Sequence, residues 1–256
     1  MTPAPGQPLT AIVTGGARRI GAALVRALAA DGWSVLIHCH RSDAEADALA
    51  AGLPDARVVV TDLAAADAGA QVLAATADMP PPALLVNNAA RFEEDALDGF
   101  TASGWDRHLH ANLRGPALLI QAFAAAIAAP GGGQGLVVNI LDAKVAQPNP
   151  DFFSYTVSKL GLAGLTEVAA RALAGRGIRV CGIAPALTLR SGAQTAANFA
   201  AAHRLNPLGH GVEPEDIAAA LRYLIAAPAV TGQVIVLDGG QRFMGLPRDV
   251  QFMELE

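Results

Sequence analysis

Tyr155 and Lys159 stand four residues apart in Tyr155-Thr156-Val157-Ser158-Lys159, a spacing that puts a phenol and an ammonium on one face of a helix. The chain holds only two tyrosines and two lysines, so a chance pairing at this spacing has odds of about 1 in 60. A free phenol ionises near 10, and a cation within about 4–6 Å lowers a neighbouring acid by about 1–3 units. Tyr155 is therefore expected to donate a proton near neutral pH. Asp142 precedes it in the chain; ionised, its carboxylate only accepts hydrogen bonds, whereas burial that raised its pKa would let it donate.

A second set of residues suits a phosphorylated ligand. A short apolar run leads into Thr14-Gly15-Gly16-Ala17-Arg18-Arg19-Ile20-Gly21 and then into a helical pattern. Glycines let the backbone turn tightly and approach a pyrophosphate, while the N–H groups and dipole of the following helix attract its charge. Gly15, Arg18, Arg19, Ile20 and Gly21 are the candidates; a glycine turn without a ligand is the plainer alternative. His38-Cys39-His40-Arg41-Ser42 ends the second apolar run without an acidic residue. His38, His40, Arg41 and Ser42, with Arg19, would enclose a ribose 2′-phosphate, which favours NADPH over NADH. An incidental, solvated strand end is the alternative there. Asp62, followed by Leu63, is placed to meet the adenine, and the small residues of Asn88-Ala89-Ala90 leave room for a flat ring.

These residues need a scaffold that brings distant segments to one edge. Short β-branched runs at Ala11–Thr14, Ser34–Cys39, Arg57–Thr61, Ala83–Asn87, Gly135–Ile140, Arg179–Ile183 and Gln233–Leu237 alternate with alanine- and leucine-rich helical stretches. The fold class is therefore α/β: a Rossmann-type, doubly wound sheet of about seven parallel strands with helices on both faces. Helices are expected over Arg19–Asp31, Ala117–Ala129 and Phe153–Leu173. The last two are apolar around most of their circumference, which predicts a homo-oligomer, dimer or tetramer. Gly131-Gly132-Gly133 and Gln147–Asp151 are too short to divide the chain, so residues 9–256 read as one domain behind a tail at 1–8.

With 256 residues, 52% of them hydrophobic and 16% charged, the chain can bury a sizeable core. A net charge of −5 gives no global attraction for nucleic acid or an anionic membrane. The longest apolar run falls short of the roughly 20 residues of a membrane span. Proline-rich residues 1–9 do not read as a secretory signal. Cys39 and Cys181 are far apart and lack the companions of a metal site, so no metal is expected and a reducing cytoplasm fits.

Taken together, the T-G-G-A-R-R-I-G turn, N-N-A-A, Asn112, Y-T-V-S-K and the late L-D-G-G resemble the short-chain dehydrogenase/reductase family over nearly the whole chain. The resemblance implies hydride transfer from a nicotinamide to a carbonyl or imine carbon. It assigns proton donation to Tyr155, the nicotinamide ribose and phenol tuning to Lys159, and a water-linked proton path to Asn112. Arg19 stands where most members have a third glycine, and Asp142 where most have a serine. Both departures, with H-x-H-R-S at 38–42, resemble the pteridine reductase branch, which implies a pterin stacked on Phe92. Ala90 departs from that branch's serine, and Ala186 from the Pro-Gly turn that follows the sixth strand; Pro185 and Thr188 would still reach the nicotinamide side. In the family, Arg190–Pro207 would be a substrate lid.

Two alternatives stay open: a ketone or 3-oxoacyl reductase in which Asp142 is accommodated by water, and a non-catalytic NADP-binding sensor. Lys144 is expected as a solvated loop residue, with pairing to Asp142 or to a substrate carboxylate as the alternative. Trp105, Asp106, His108 and His110 are expected to pack or to face solvent, and Gln241–Glu256 to lie on the substrate pocket or on a partner.

Overall fold

In a computed structural model, which describes residues 8–128, 133–192 and 194–253, seven strands form one sheet. They are β1 Thr10–Thr14, β2 Ser34–Cys39, β3 Ala56–Val60, β4 Pro82–Asn87, β5 Gly135–Ile140, β6 Ile178–Pro185 and β7 Val234–Leu237. Every pairing is parallel and the order is β3-β2-β1-β4-β5-β6-β7. All seven predicted strands are found, β2 and β5 with the expected bounds and the other five shifted at an end by a residue or two. Residues 1–7 of the expected tail, Ala129 at the end of a predicted helix, Gly131-Gly132 and residues 254–256 lie outside the described residues.

The helices are α1 Arg19–Ala30, α2 Asp43–Ala51, α3 Ala68–Ala74, α4 Ala102–Leu109, α5 Gly115–Ala128, α6 Phe153–Leu173, α7 Ala196–His203 and α8 Pro214–Ala226. Strand alternation explains why both faces of the sheet are covered. Ile12, Leu36, Leu85 and Val137 lie in register across β2, β1, β4 and β5 and face one way. They pack with Leu119, Phe123 and Ile127 of α5 and Leu173 of α6. Their neighbours Val13, Ile37, Val86 and Val138 face the other way, toward Leu24, Val25 and Leu28 of α1 and Ile217, Leu221 and Leu224 of α8.

The stretch Ala102–Ala128 is helical throughout, long and apolar enough by length and composition to cross a membrane. It was expected to hold no such segment. Its α5 part, however, buries Leu119 and Phe123 completely against the sheet, so it serves as a core helix. A π-helical turn, His110–Arg114, joins α4 to α5.

Strand order reverses between β1 and β4, which opens a crevice beyond their carboxyl ends. Thr14, Asn87, Ile140 and Pro185 end β1, β4, β5 and β6, so the candidate residues that follow them converge on that edge.

Candidate active site

The turn after β1 is tied to the turn after β4. Thr14 Oγ1 accepts from the backbone N–H groups of Asn88 and Ala89, both at 3.0 Å, and Asn88 Nδ2 donates back to Thr14 O and Gly15 O. A Cβ on Gly15, whose φ is +61°, would lie 2.9 Å from Ala89 Cα, and one on Gly21 would lie 2.1 Å from Gly15 O. The two glycines are therefore needed for the close approach of these turns. Arg19 occupies a left-handed conformation at φ +56°, the strain expected where a glycine has been replaced.

The N-terminus of α1 has no side-chain cap and no acidic residue in its first turn. Its backbone N–H groups and positive dipole end suit an anion. Exposed His40 and Arg41 flank the same edge at the end of β2, with Ser42 buried beside them and making no cap bond. This donor set fits a dinucleotide that carries an extra phosphate.

His38 is placed otherwise than expected. It is 2% exposed; Nδ1 accepts from Gly15 N–H at 3.2 Å and Nε2 donates to Thr61 O at 3.0 Å. Its ring is a neutral strut beneath the turn, and burial holds its pKa below the usual imidazole value. The expected direct contact with a 2′-phosphate is thereby corrected to a supporting one. Arg19, the other residue expected at that phosphate, donates to Arg190 O at 2.9 Å and Leu189 O at 3.3 Å, bridging to the loop beyond β6. Asp62 is exposed, with Oδ1 accepting from Ala64 N–H, while Leu63 is buried and packs on Gly115.

At the chemical end, α6 carries Tyr155 and Lys159, both buried. Tyr155 donates its hydroxyl to Asp142 Oδ2 at 2.9 Å. Lys159 Nζ lies 5.6 Å from the centre of the Tyr155 ring and donates to Ile140 O at 2.7 Å. The expected lowering of the phenol is not found: burial first, then the charge and hydrogen bond of Asp142, hold Tyr155 well above its ordinary value. Burial lowers Lys159 to about 8, against the pull of Asp142. Burial also raises Asp142, although the Lys144 N–H bond, the Lys144 charge and the Tyr155 hydroxyl act the other way. Burial thus pushes both the phenol and the carboxyl upward.

Asn112 is positioned by the π-helical turn, a local insertion common at functional sites. Its Oδ1 accepts from Arg91 N–H at 2.7 Å, and its Nδ2 donates to Arg91 O and Ser158 Oγ, both at 2.9 Å. Both amide hydrogens are thus engaged by the protein, which leaves only the second lone pair of Oδ1 for a water. Ser158, which the sequence reading passed over, in turn donates to Tyr155 O at 2.6 Å. Asn112 therefore locks the first turn of α6 to the loop after β4.

Phe92 on that loop is 40% exposed, stacked on Phe152 at 4.3 Å and edge-on to Tyr155 at 4.7 Å. Phe252 stacks on Phe152 at 5.6 Å. Phe152 was not anticipated, because its left-handed backbone leaves no spacing signal, whereas Phe252 belongs to the C-terminal stretch expected on the substrate pocket or on a partner. Ala90 is exposed and Pro185 is buried at the end of β6. Thr188 is buried, its hydroxyl donating to Ala186 O at 2.9 Å.

Lys144, expected in solvent, is 7% exposed. Its ammonium bonds Asn149 Oδ1 and pairs with Asp249 at 2.8 Å. The C-terminal segment thus closes one side of the cavity that Asp142, Lys144, Ala186, Arg242 and Asp249 share. His108, one of the residues expected to pack or face solvent, is buried and accepts from Glu93 N–H at 3.3 Å, while Trp105 packs on Phe100 and Phe153.

Comparison with known proteins agrees with this geometry. A family model described as Enoyl-(Acyl carrier protein) reductase matches residues 15–242. A 3-oxoacyl-[acyl-carrier-protein] reductase of Synechocystis is 31% identical over 238 residues, which cover 90% of this chain and 95% of the relative. Pteridine reductase 1 of Leishmania tarentolae is 30% identical, with 94% and 98% covered. The crystal structure of FolM alternative dihydrofolate reductase 1 from Brucella canis, complexed with NADP, superposes with a TM-score of 0.84 at 41% identity, covering 92% of this chain and 94% of that one. The Brucella suis counterpart, also in complex with NADP, gives 0.81 at 41% identity.

Proposed function

Because the chain belongs to the short-chain dehydrogenase/reductase family of oxidoreductases, we propose that it is an NADPH-dependent reductase of a dihydropterin or related N-heterocycle, with Tyr155 as proton donor. The observation that carries this reading is the Tyr155–Asp142 hydrogen bond at 2.9 Å, with a carboxyl at the position where the family resemblance expects a serine. NADP in the two FolM complexes, and the uncapped, acid-free start of α1 beside Arg41 in this chain, support the choice of cofactor. When bound, NADPH would supply the hydride; Arg41, His40, Ser42 and the N–H groups of residues 18–21 would hold its phosphates.

The residues of this chain then handle the proton. With its carboxyl protonated, Asp142 donates to the Tyr155 oxygen, and the Tyr155 O–H turns to the ring nitrogen of the substrate. Tyr155 gives that proton to the nitrogen as the C=N bond is reduced and takes one from Asp142. Asp142 is left ionised and recovers its proton from solvent. Lys159 favours charge on the phenol oxygen during the transfer. Phe92 offers an aromatic face to the substrate ring, a contact worth about 0.5–1.5 kcal/mol beyond area burial. The buried free thiols Cys39 and Cys181 support work in a reducing cytoplasm, and the exposed Leu160 and Val168 on α6 support assembly as a homo-oligomer.

A second reading, reduction of a ketone or 3-oxoacyl thioester, is favoured by the Synechocystis relative. One screen separates the two. Oxidation of NADPH by the purified protein is followed by its absorbance against dihydrobiopterin, dihydromonapterin, dihydrofolate, acetoacetyl thioesters and simple ketones. Consumption with a pterin or folate supports the proposal. Consumption with the ketones or thioesters alone refutes it in favour of the second reading.

A further inference from the structure

Asp142 sits between two opposed influences that reach it from different parts of the chain. On one side is Lys144, two residues on, whose backbone N–H donates to Asp142 Oδ1 at 2.9 Å and whose ammonium lines the same cavity. On the other is the C-terminal segment. Asp249 takes the Lys144 ammonium at 2.8 Å, and both side chains are withdrawn from solvent, at 7% and 15% exposure. Asp249 is itself firmly held. Its N–H donates to Asp151 Oδ2 at 2.7 Å, and its Oδ1 accepts from Gln251 N–H at 3.1 Å. Arg248 forks onto Asp151 beside it. A buried ammonium needs a compensating anion, and Asp142 is the other carboxyl lining this cavity beside it.

We propose that Asp249 is a positioning residue for the reaction: it holds the Lys144 ammonium away from the Asp142 carboxyl, so that the Asp142–Tyr155 hydrogen bond faces the substrate without a competing cation. The inference rests on the reading of Asp142 and Tyr155 as the proton-handling pair. The charges acting on Asp142 from the elements around it are Lys144 from the turn after β5, Tyr155 and Lys159 from α6, and Asp249 from the C-terminal turn. Arg242 and Arg248 line the cavity too, but their partners are Asp238 and Asp151. The directions agree with the geometry: the Asp249 charge raises the Asp142 pKa and the Lys144 charge lowers it. Asp249 thereby adds to the effect of burial on Asp142 and opposes that of Lys144.

The test follows the carboxyl directly. Full-length protein with carbon-13-labelled aspartate is titrated by NMR without cofactor, the Asp142 signal being assigned by its loss in Asp142→Asn. Asp249→Asn is expected to lower the Asp142 midpoint by about 1 unit, and Lys144→Met to raise it. Asp249→Glu restores the wild-type midpoint. With NADPH and dihydropterin, the alkaline limb of kcat/KM moves in the same directions. An unmoved Asp142 midpoint in Asp249→Asn overturns the inference; should that variant not fold, an unmoved midpoint in Asp249→Ser does so. If the carboxyl shifts as expected while no pterin is reduced, the assigned reaction is wrong and the role of Asp249 stands.

Discussion

The Tyr155 hydroxyl donates to Asp142 Oδ2 at 2.9 Å, and this contact couples the protonation of the two groups. Burial raises Asp142, so its protonated form persists above the usual carboxylate range. A donor of this kind is lost as pH rises through the raised value. In wild type kcat/KM should therefore fall on the alkaline side of that value. Asp142→Asn keeps a hydrogen-bonding side chain without a proton to give. Its rate should fall by about 100-fold or more at the pH optimum, and this limb should vanish from the profile.

Arg41 stands exposed at the end of β2, where the ribose phosphate is expected. A charge-assisted bond of this type is worth about 1.5–3 kcal/mol, so Arg41→Ala should weaken NADPH binding by about 10-fold or more. NADH binding should not change. Fluorescence titration of both nucleotides checks this, and equal losses for the two would count against the placement.

His38 braces the phosphate turn through Gly15 N–H, and only its neutral form accepts that bond. Because its pKa is lowered, the ring stays neutral at pH 7 and protonates only once pH falls below the ordinary imidazole range. Its stabilising contribution is present above the unfolded value and lost as pH falls through the folded one. His38→Leu should bind NADPH about 5-fold more weakly at pH 7. The gap should close as pH falls, since wild type then loses the same bond. A constant gap from pH 7 to the acid end would contradict the assignment.

Lys159 is buried with its pKa lowered to about 8 from 10.5. A lowered cation means that the fold loses stability as pH falls from the unfolded value through the folded one. The full deficit, about 3 kcal/mol at most, is present below about 8. Lys159→Met should lack this loss, so its stability advantage over wild type should open between about pH 10 and 8 and stay constant below. Urea denaturation at a series of pH values measures it. A difference that does not vary with pH over that range would remove the electrostatic account.

Much of the scaffold is readable from short β-branched runs set between helical stretches, as strands buried on both faces require. Val13 and Ile12, or Ile37 and Leu36, separate to opposite faces as period 2 requires, so each apolar run feeds both core layers. Local motifs placed Tyr155, Lys159, Gly15 and Asn88 at the carboxyl edge, because each follows directly from a strand or opens a helix. What escaped the sequence depends on contacts between remote segments. The C-terminal stretch was expected on the pocket or on a partner, but no spacing encodes the pairing of its Asp249 with Lys144. His38 looked like a ligand from its neighbours His40 and Arg41, but alternation along β2 turns it under the glycine turn. The π-helical turn that aims Asn112 is likewise invisible to a 3.6-residue period.

The account depends most on the Tyr155 hydroxyl as the proton donor to substrate. The direct test is single-turnover oxidation of NADPH by dihydropterin in wild type and Tyr155→Phe, with NADPH affinity measured on both. The account predicts an unchanged affinity and a transfer rate lower by about 100-fold or more in the variant. A variant that binds NADPH normally and turns over within about 2-fold of wild type would contradict it.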